Sequence, residues 1–191
     1  ITMLEDDSSV ASDNVWVAHP SIDGEWLPAR VSTRHEDGTV VVTCDDGYEV
    51  TQRADELLLS NVLPEAGVED MQRLNYLHEP ALLHNLSHRF LKDHVYTYTG
   101  KICISINPFN WEVSAPLYST DKLHSYRGRD KDDLPPHVYA ISEHAYKAIL
   151  ARNSGDAGPN QSILVSGESG AGKTEAVKIM MGFLAEVSHE A

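Results

Sequence analysis

The sequence predicts an α/β chain in which a mixed sheet flanked by helices follows a small β-barrel. Three observations predict it. Short β-branched and aromatic runs separated by Asp-Gly turns crowd residues 14–61. A second pair of such runs lies at 95–106, between segments of helical spacing. Finally, the apolar run Ser162-Ile163-Leu164-Val165-Ser166 passes through a glycine-rich octet into another helical pattern, the strand–loop–helix order of a parallel-type sheet.

Residues 1–13 are acidic and serine-rich without periodicity, which predicts a flexible lead-in. From 14 to 61 the runs Val15-Trp16-Val17, Trp26 to Val31, Thr39 to Thr43 and Tyr48 to Thr51 alternate with turns at Asp23-Gly24, Asp37-Gly38 and Asp45-Asp46-Gly47. Strands at that spacing predict a small barrel similar to an SH3 fold. Trp16, Trp26 and Tyr48 fit either an aromatic peptide-binding groove or the barrel core; the core is preferred, because so small a unit has little else to bury.

Pro64 ends an extended link, and residues 62–191 form the second region. Leu74, Leu77, Ala81, Leu82, Leu86 and Phe90 have helical spacing interrupted at Pro80, predicting two short helices. His78, His84, His88 and His94 show no zinc-ligand spacing and read as surface or capping residues. Val95 to Tyr98 and Ile102 to Ile106 predict a hairpin turning at Thr99-Gly100-Lys101, expected to join the sheet that carries the glycine-rich loop. Asn107-Pro108-Phe109 ends it, and a loop through Trp111 and Pro116 leads to Tyr118. A charged stretch, Tyr126 to Asp133, precedes Pro135-Pro136 and a helix with Val138, Ile141, Ala145, Ala148 and Ile149 on one face. Asn153 to Gln161 is a Gly/Asn-rich loop. In the last helix Ala176, Val177, Ile179, Met180, Phe183, Leu184 and Val187 form the buried face, with Met180 and Met181 as core filler.

The octet Gly167-Glu168-Ser169-Gly170-Ala171-Gly172-Lys173-Thr174 fits Gly-x4-Gly-Lys-Ser/Thr. Small residues let successive backbone N–H groups curl around a polyphosphate, and the helix that follows adds its positive dipole end. Gly167, Gly170 and Gly172 permit the close approach, while Glu168 and Ser169 contribute mainly backbone. Lys173 is placed to reach the β- and γ-phosphates and the Thr174 hydroxyl to ligate Mg²⁺. Glu175 fits either a first-turn acid favoured by the helix dipole or a group beside the metal, and the first is preferred.

Composition bounds these readings. The chain has 191 residues, 41% hydrophobic and 23% charged, enough for one sizeable domain or two small ones. A net charge of −14 argues against a nucleic-acid surface and against docking on anionic membrane, but not against a nucleotide held by local backbone donors and one lysine. Cys44 and Cys103 lie in separate strand-like runs and read as small buried hydrophobes of a reducing compartment. Neither a long apolar run nor a basic-then-apolar start occurs, so no membrane insertion is expected and a cytoplasmic location is. Because the chain starts at Ile1 and stops about four turns into the last helix, it is expected to be a fragment.

Several separated segments together resemble the amino-terminal part of a myosin motor domain. The loop Gly-Glu-Ser-Gly-Ala-Gly-Lys-Thr-Glu (167–175) matches that family throughout. So do Gly67-Val68-Glu69-Asp70-Met71, Leu77-His78-Glu79-Pro80, Tyr96-Thr97-Tyr98-Thr99-Gly100, Asn107-Pro108-Phe109 and Pro136-His137-Val138-Tyr139-Ala140-Ile141-Ser142. The resemblance implies a P-loop NTPase motor fold over 62–191, with ATP and Mg²⁺ as ligands. It implies further that Gly167 to Thr174 hold the phosphates and Mg²⁺, and that Asn107, Pro108 and Tyr118 form the adenine pocket. Where many members have a basic residue and a short connection after Asn-Pro-Phe, this chain has Asn110-Trp111-Glu112-Val113-Ser114-Ala115 before Pro116.

For the intact protein the resemblance implies an actin-activated Mg-ATPase of the cytoskeleton, with light chains or calmodulin and the rest of the motor domain as partners. The family's switch strings, Asn-x-Asn-Ser-Ser-Arg and Asp-x-x-Gly-Phe-Glu, do not occur here. No catalytic residue beyond Lys173, a charge stabiliser in the intact motor, is therefore expected in the chain, which is expected to be inactive alone and to meet actin through regions beyond 191. Two other classes stay open on the residues: a different P-loop nucleotide kinase or NTPase, and a non-catalytic interaction module built on the barrel with a degenerate nucleotide site.

Overall fold

A computed structural model describes residues 13–153 and 160–189; the expectations for the acidic lead-in, Asp13 apart, and for most of the Asn153–Gln161 loop lie outside them. The chain divides into two compact units, Ile1–Leu63 with Leu74–His84, and Pro64–Arg73 with Asn85–Ala191.

In the first unit, β1 (Asn14–Ala18), β2 (Trp26–Arg34), β3 (Thr39–Cys44), β4 (Glu49–Arg53) and β5 (Leu58–Leu59) form one antiparallel sheet in the order β4-β3-β2-β1-β5. Alternation sets its inner face: Val15 and Val17 on β1 and Val40, Val42 and Cys44 on β3 are buried, while their neighbours are not. Two expectations are corrected. Among the described residues the ladder does not close into a barrel, because β4 and β5 stand at opposite edges and β5 offers only two residues for pairing. Nor do the aromatics make the core: Tyr48 is exposed, Trp16 and Trp26 are half-buried, and the interior is aliphatic around Val15, Val17, Ala29, Val40 and Val42. The Trp16 ring leans on His84 at 5.0 Å. His78 caps as expected, its Nε2 2.9 Å from the Leu59 carbonyl and its Nδ1 accepting the Ala81 N–H.

Helix α1 (Glu79–Phe90) is continuous, not broken in two. Pro80 sits in its first turn, where a missing N–H costs nothing because that turn has no intrahelical acceptor to serve. From Asn85 onward α1 belongs to the second unit.

There, β6 (Tyr96–Thr99) and β7 (Ile102–Ser105) form the expected hairpin around Gly100-Lys101. Among the described residues it is a two-stranded sheet of its own, and Ser162–Ser166 is not a strand. Its apolar composition reads as a buried strand, but a strand exists only where a ladder partner accepts it, and Leu164 stands 92% exposed. The segment expected as a loop after Phe109 is instead helical: α2 (Trp111–Leu117), capped by the Asn110 side chain accepting Glu112 N–H, then α3 (Thr120–Tyr126), capped by Ser119.

Helices α4 (Val138–Asn153) and α5 (Lys173–His189) complete the unit. Its core is aromatic where the first was aliphatic: Tyr96, Tyr98, Tyr126, Tyr139, Phe183, Met180 and Val187 pack together, with Tyr139 stacked on Phe183 at 5.0 Å. Val138 and Ala145 of α4 are buried as expected, whereas Ile149 is exposed. On α5 the buried stripe is narrower than predicted. Met180, Phe183 and Val187 are inside, but Val177 is exposed and Met181, expected as filler, is 61% exposed.

The second core also holds charge. Arg89, only 3% exposed, donates Nε to Thr97 Oγ1, Nη1 to the Ala66 carbonyl and Nη2 to the Tyr96 carbonyl. Gly67 makes room for it: at φ +69° a Cβ there would meet Arg89 Cγ at 2.6 Å. Glu143 is buried and accepts the Gly128 N–H.

Candidate phosphate-binding site

The glycine-rich loop leads directly into α5, whose first residue is Lys173. A 17-residue helix has its first-turn N–H groups free of intrahelical partners and its dipole positive at that end, so the loop lies where an anion is most favoured. Gly170 and Gly172 take φ +83° and +93°, left-handed values that a side chain would resist. The Ala171 N–H bonds the Glu168 carbonyl at 3.2 Å, and Ala176 N–H bonds Gly172 to start the helical ladder.

Lys173 arches back over the loop, its Nζ donating to the Gly167 and Glu168 carbonyls at 2.7 Å each. The ammonium is thereby held at the loop rather than extended into solvent. Thr174 is exposed in the first turn. Next to it Glu175 pairs with Lys178 at 2.7 Å across an exposed helix turn, the first-turn acid that the sequence suggested.

Of the three residues tied to a base pocket by resemblance, Asn107 reaches the loop. Its Nδ2 donates to the Gly170 carbonyl at 3.2 Å while its Oδ1 accepts the Phe109 N–H at 3.0 Å. One side chain therefore both caps its own turn and tethers that turn to the loop. The tether left no signal in the sequence, since contact across 63 residues makes no local pattern. Pro108 lines a cavity of about 270 Å³ with Phe90, Leu91, Val95, Asn110 and Val113. Tyr118 is engaged elsewhere: its hydroxyl pairs with Tyr96 OH at 2.7 Å and its ring lies 5.9 Å from His137.

His137 was quoted only as part of a motif, and nothing in its neighbourhood announced its setting. It is 1% exposed, ringed by Tyr96, Tyr126 and Tyr139 with centroids at 4.7, 5.1 and 4.5 Å. Burial, aided by the positive charge of Lys122, pushes its pKa down to about 3; the Leu117 carbonyl opposes this without reaching hydrogen-bond geometry to Nε2. The ring is neutral, and since Nδ1 accepts the Tyr139 N–H its proton resides on Nε2. Burial likewise raises the Cys103 thiol to about 12 and leaves it inert, and Cys44 is buried in the first sheet.

Glycines at positive φ, a helix start and a lysine bent onto the loop together fit a polyphosphate, with the Thr174 hydroxyl available to a divalent cation. The family model for the myosin head (motor domain) matches residues 68–191, which include this loop. Among curated proteins, Myosin-8 of Arabidopsis thaliana is 42% identical over 173 residues, covering 90% of this chain and 11% of that protein. Myosin-5 of the same plant is 40% identical over 92% of the chain and 11% of its own length. Myosin-H heavy chain of Dictyostelium discoideum is 36% identical over 96% of the chain and 10% of its own length. The chain spans about a tenth of the length of these relatives. With its loop, helices and hairpin inside the matched segment, the chain belongs to the myosin head (motor domain) family.

Proposed function

We propose that the chain is the ATP-binding portion of an actin-based motor ATPase, in which hydrolysis in the intact protein drives movement along actin filaments. The observation that carries this reading is Lys173 bent onto the loop carbonyls at the start of α5, within the segment matched to the myosin head.

In this reading the backbone N–H groups of 167–174 and the α5 dipole bind the phosphates. Lys173 exchanges its carbonyl contacts for the β- and γ-oxygens and stabilises charge there as the bond to the γ-phosphorus breaks. Mg²⁺, when bound, neutralises part of the phosphate charge, and Thr174 is the residue of this chain that holds it. Asn107 sets the turn that carries the adenine pocket, with Pro108 as a further member, whereas Tyr118 joins it only by giving up its hydrogen bond to Tyr96. Water positioning and release of phosphate need the switch loops, which the family supplies from strings absent from this sequence. Actin contact, light chains or calmodulin, and a place in the cytoskeleton belong to the intact protein under the same proposal.

Replacing Lys173 with Ala in the full-length protein is expected to abolish tight Mg-ATP binding in equilibrium titration, and near-normal ATPase in that variant would refute the assignment. Residues 1–191 alone are expected to show no actin-stimulated phosphate release; measurable turnover would mean that the switch-loop argument is wrong.

A further inference from the structure

We propose that the second unit carries a binding site for a small monocarboxylate with an apolar body, in the cavity that His137 and Lys122 line, with the imidazole Nε2–H and the lysine ammonium as the donors to the carboxylate. The site is separate from the glycine-rich loop, and its test does not depend on the phosphate-loop reading.

The cavity measures about 200 Å³, far more than one water needs and less than the usual drug-sized pocket, so a ligand built on a single ring suits it. Val95, Leu117 and Pro136 give it apolar walls, and the buried Tyr96 and Tyr126 stand beside them. His137 lines the same cavity and is itself fully buried. Its Nδ1 is occupied by the Tyr139 N–H, whereas Nε2, on the side of the Leu117 carbonyl, reaches no acceptor among the described residues. A buried N–H without a partner destabilises its surroundings, and a ligand oxygen placed against it removes that penalty on binding.

Charge decides what that oxygen belongs to. Lys122 is half-buried in the cavity lining, its Nζ 5.5 Å from the Tyr126 ring centroid, and it forms no salt bridge among the described residues. After burial, its charge is what holds the neighbouring His137 ring neutral. Ammonium and N–H therefore serve one region, and a carboxylate answers them with one oxygen each. Glu69 and Asp93 also line the cavity, but both are exposed, where water screens them, and Glu69 interacts with the Arg89 charge as well. Arg89 is committed to Thr97 and two backbone carbonyls and adds no free donor. Two donors against an apolar wall suit a monoanion with a ring better than a phosphate dianion, which needs more donors than these.

The test titrates the 191-residue chain with benzoate, benzamide and acetate, following ligand signals and the His137 Nε2–H resonance by NMR. Benzoate is expected to bind with a Kd of about 1 mM or tighter, modest for so small a ligand. Benzamide should bind about tenfold more weakly for want of the charge, and acetate more weakly still for want of the ring. The Nε2–H resonance should move on saturation with benzoate. Lys122→Met should weaken benzoate about tenfold and leave benzamide within twofold, the retained benzamide binding reporting an intact cavity, while Lys122→Arg should keep most of the benzoate affinity. Benzoate affinity unchanged in Lys122→Met, equal affinity for benzoate and acetate, or a His137 resonance unmoved at saturation overturns the proposal. So does a chain with no saturable benzoate binding, whose cavity takes water alone.

Discussion

The two cores of this chain are built on opposite principles. In the first unit the interior is a lattice of Val15, Val17, Ala29, Val40 and Val42, and apart from the Cys44 thiol nothing inside it titrates. In the second, tyrosines, His137, Arg89 and Glu143 are buried, and Arg89 makes three hydrogen bonds to particular partners while His137 Nε2 and Glu143 Oε2 reach none among the described residues. An aliphatic core needs only the right period and volume. A polar aromatic core must satisfy its hydrogen bonds as well, so it specifies geometry more strictly and loses more when one member is removed.

Arg89→Leu should break that difference open most severely. It strands Thr97 Oγ1 and the Tyr96 carbonyl in the interior and removes the part-buried contact to the Ala66 carbonyl, and the expected loss is about 4 kcal/mol in urea unfolding. Acid should come next. His137 has its folded pKa depressed to about 3, so its contribution is fully present above the unfolded value near 6.5 and fades as pH falls toward 3. The unfolded chain binds a proton that the folded one refuses, which should lower stability by about 3 kcal/mol between pH 7 and 4. His137→Asn should flatten that slope, and an unchanged pH profile would dispose of the burial argument. Val42→Ala in the first core should cost least, about 2 kcal/mol, and equally at both pH values. A pH-dependent loss there would show that the contrast between the cores is false.

The same contrast decides what the sequence made legible. Strands β1 to β4 and the buried stripe of β3 follow from alternation of two, which β1 and β3 keep and β2 breaks with a register shift between Val31 and Thr33. Helix α5 and the positive-φ turn of the glycine-rich loop before it were legible for a different reason: their residues are adjacent in sequence and the motif carries its own physics. Arg89 and His137 were not, because a buried ion or imidazole looks like any surface residue until its distant partners are known. The Asn107 tether shares that blindness. Helix α2 was missed despite an available signal, Asn110 before an acidic first turn, because Pro116 argued for a loop. At Ser162–Ser166 composition pointed to a strand whose existence depends on a neighbour that composition cannot supply.

That last segment has a practical side. Leu164, 92% exposed, and the partly exposed Ile163 sit in a stretch without regular secondary structure, and the hairpin edge carries the exposed Ile102. Unpaired backbone beside apolar side chains is what one chain offers another for sheet growth. At the concentrations of a scattering or crystallisation experiment, colloidal behaviour would accordingly be set by five residues beside the phosphate loop, and a single charge at Leu164 would be the gentlest way to keep the protein in solution.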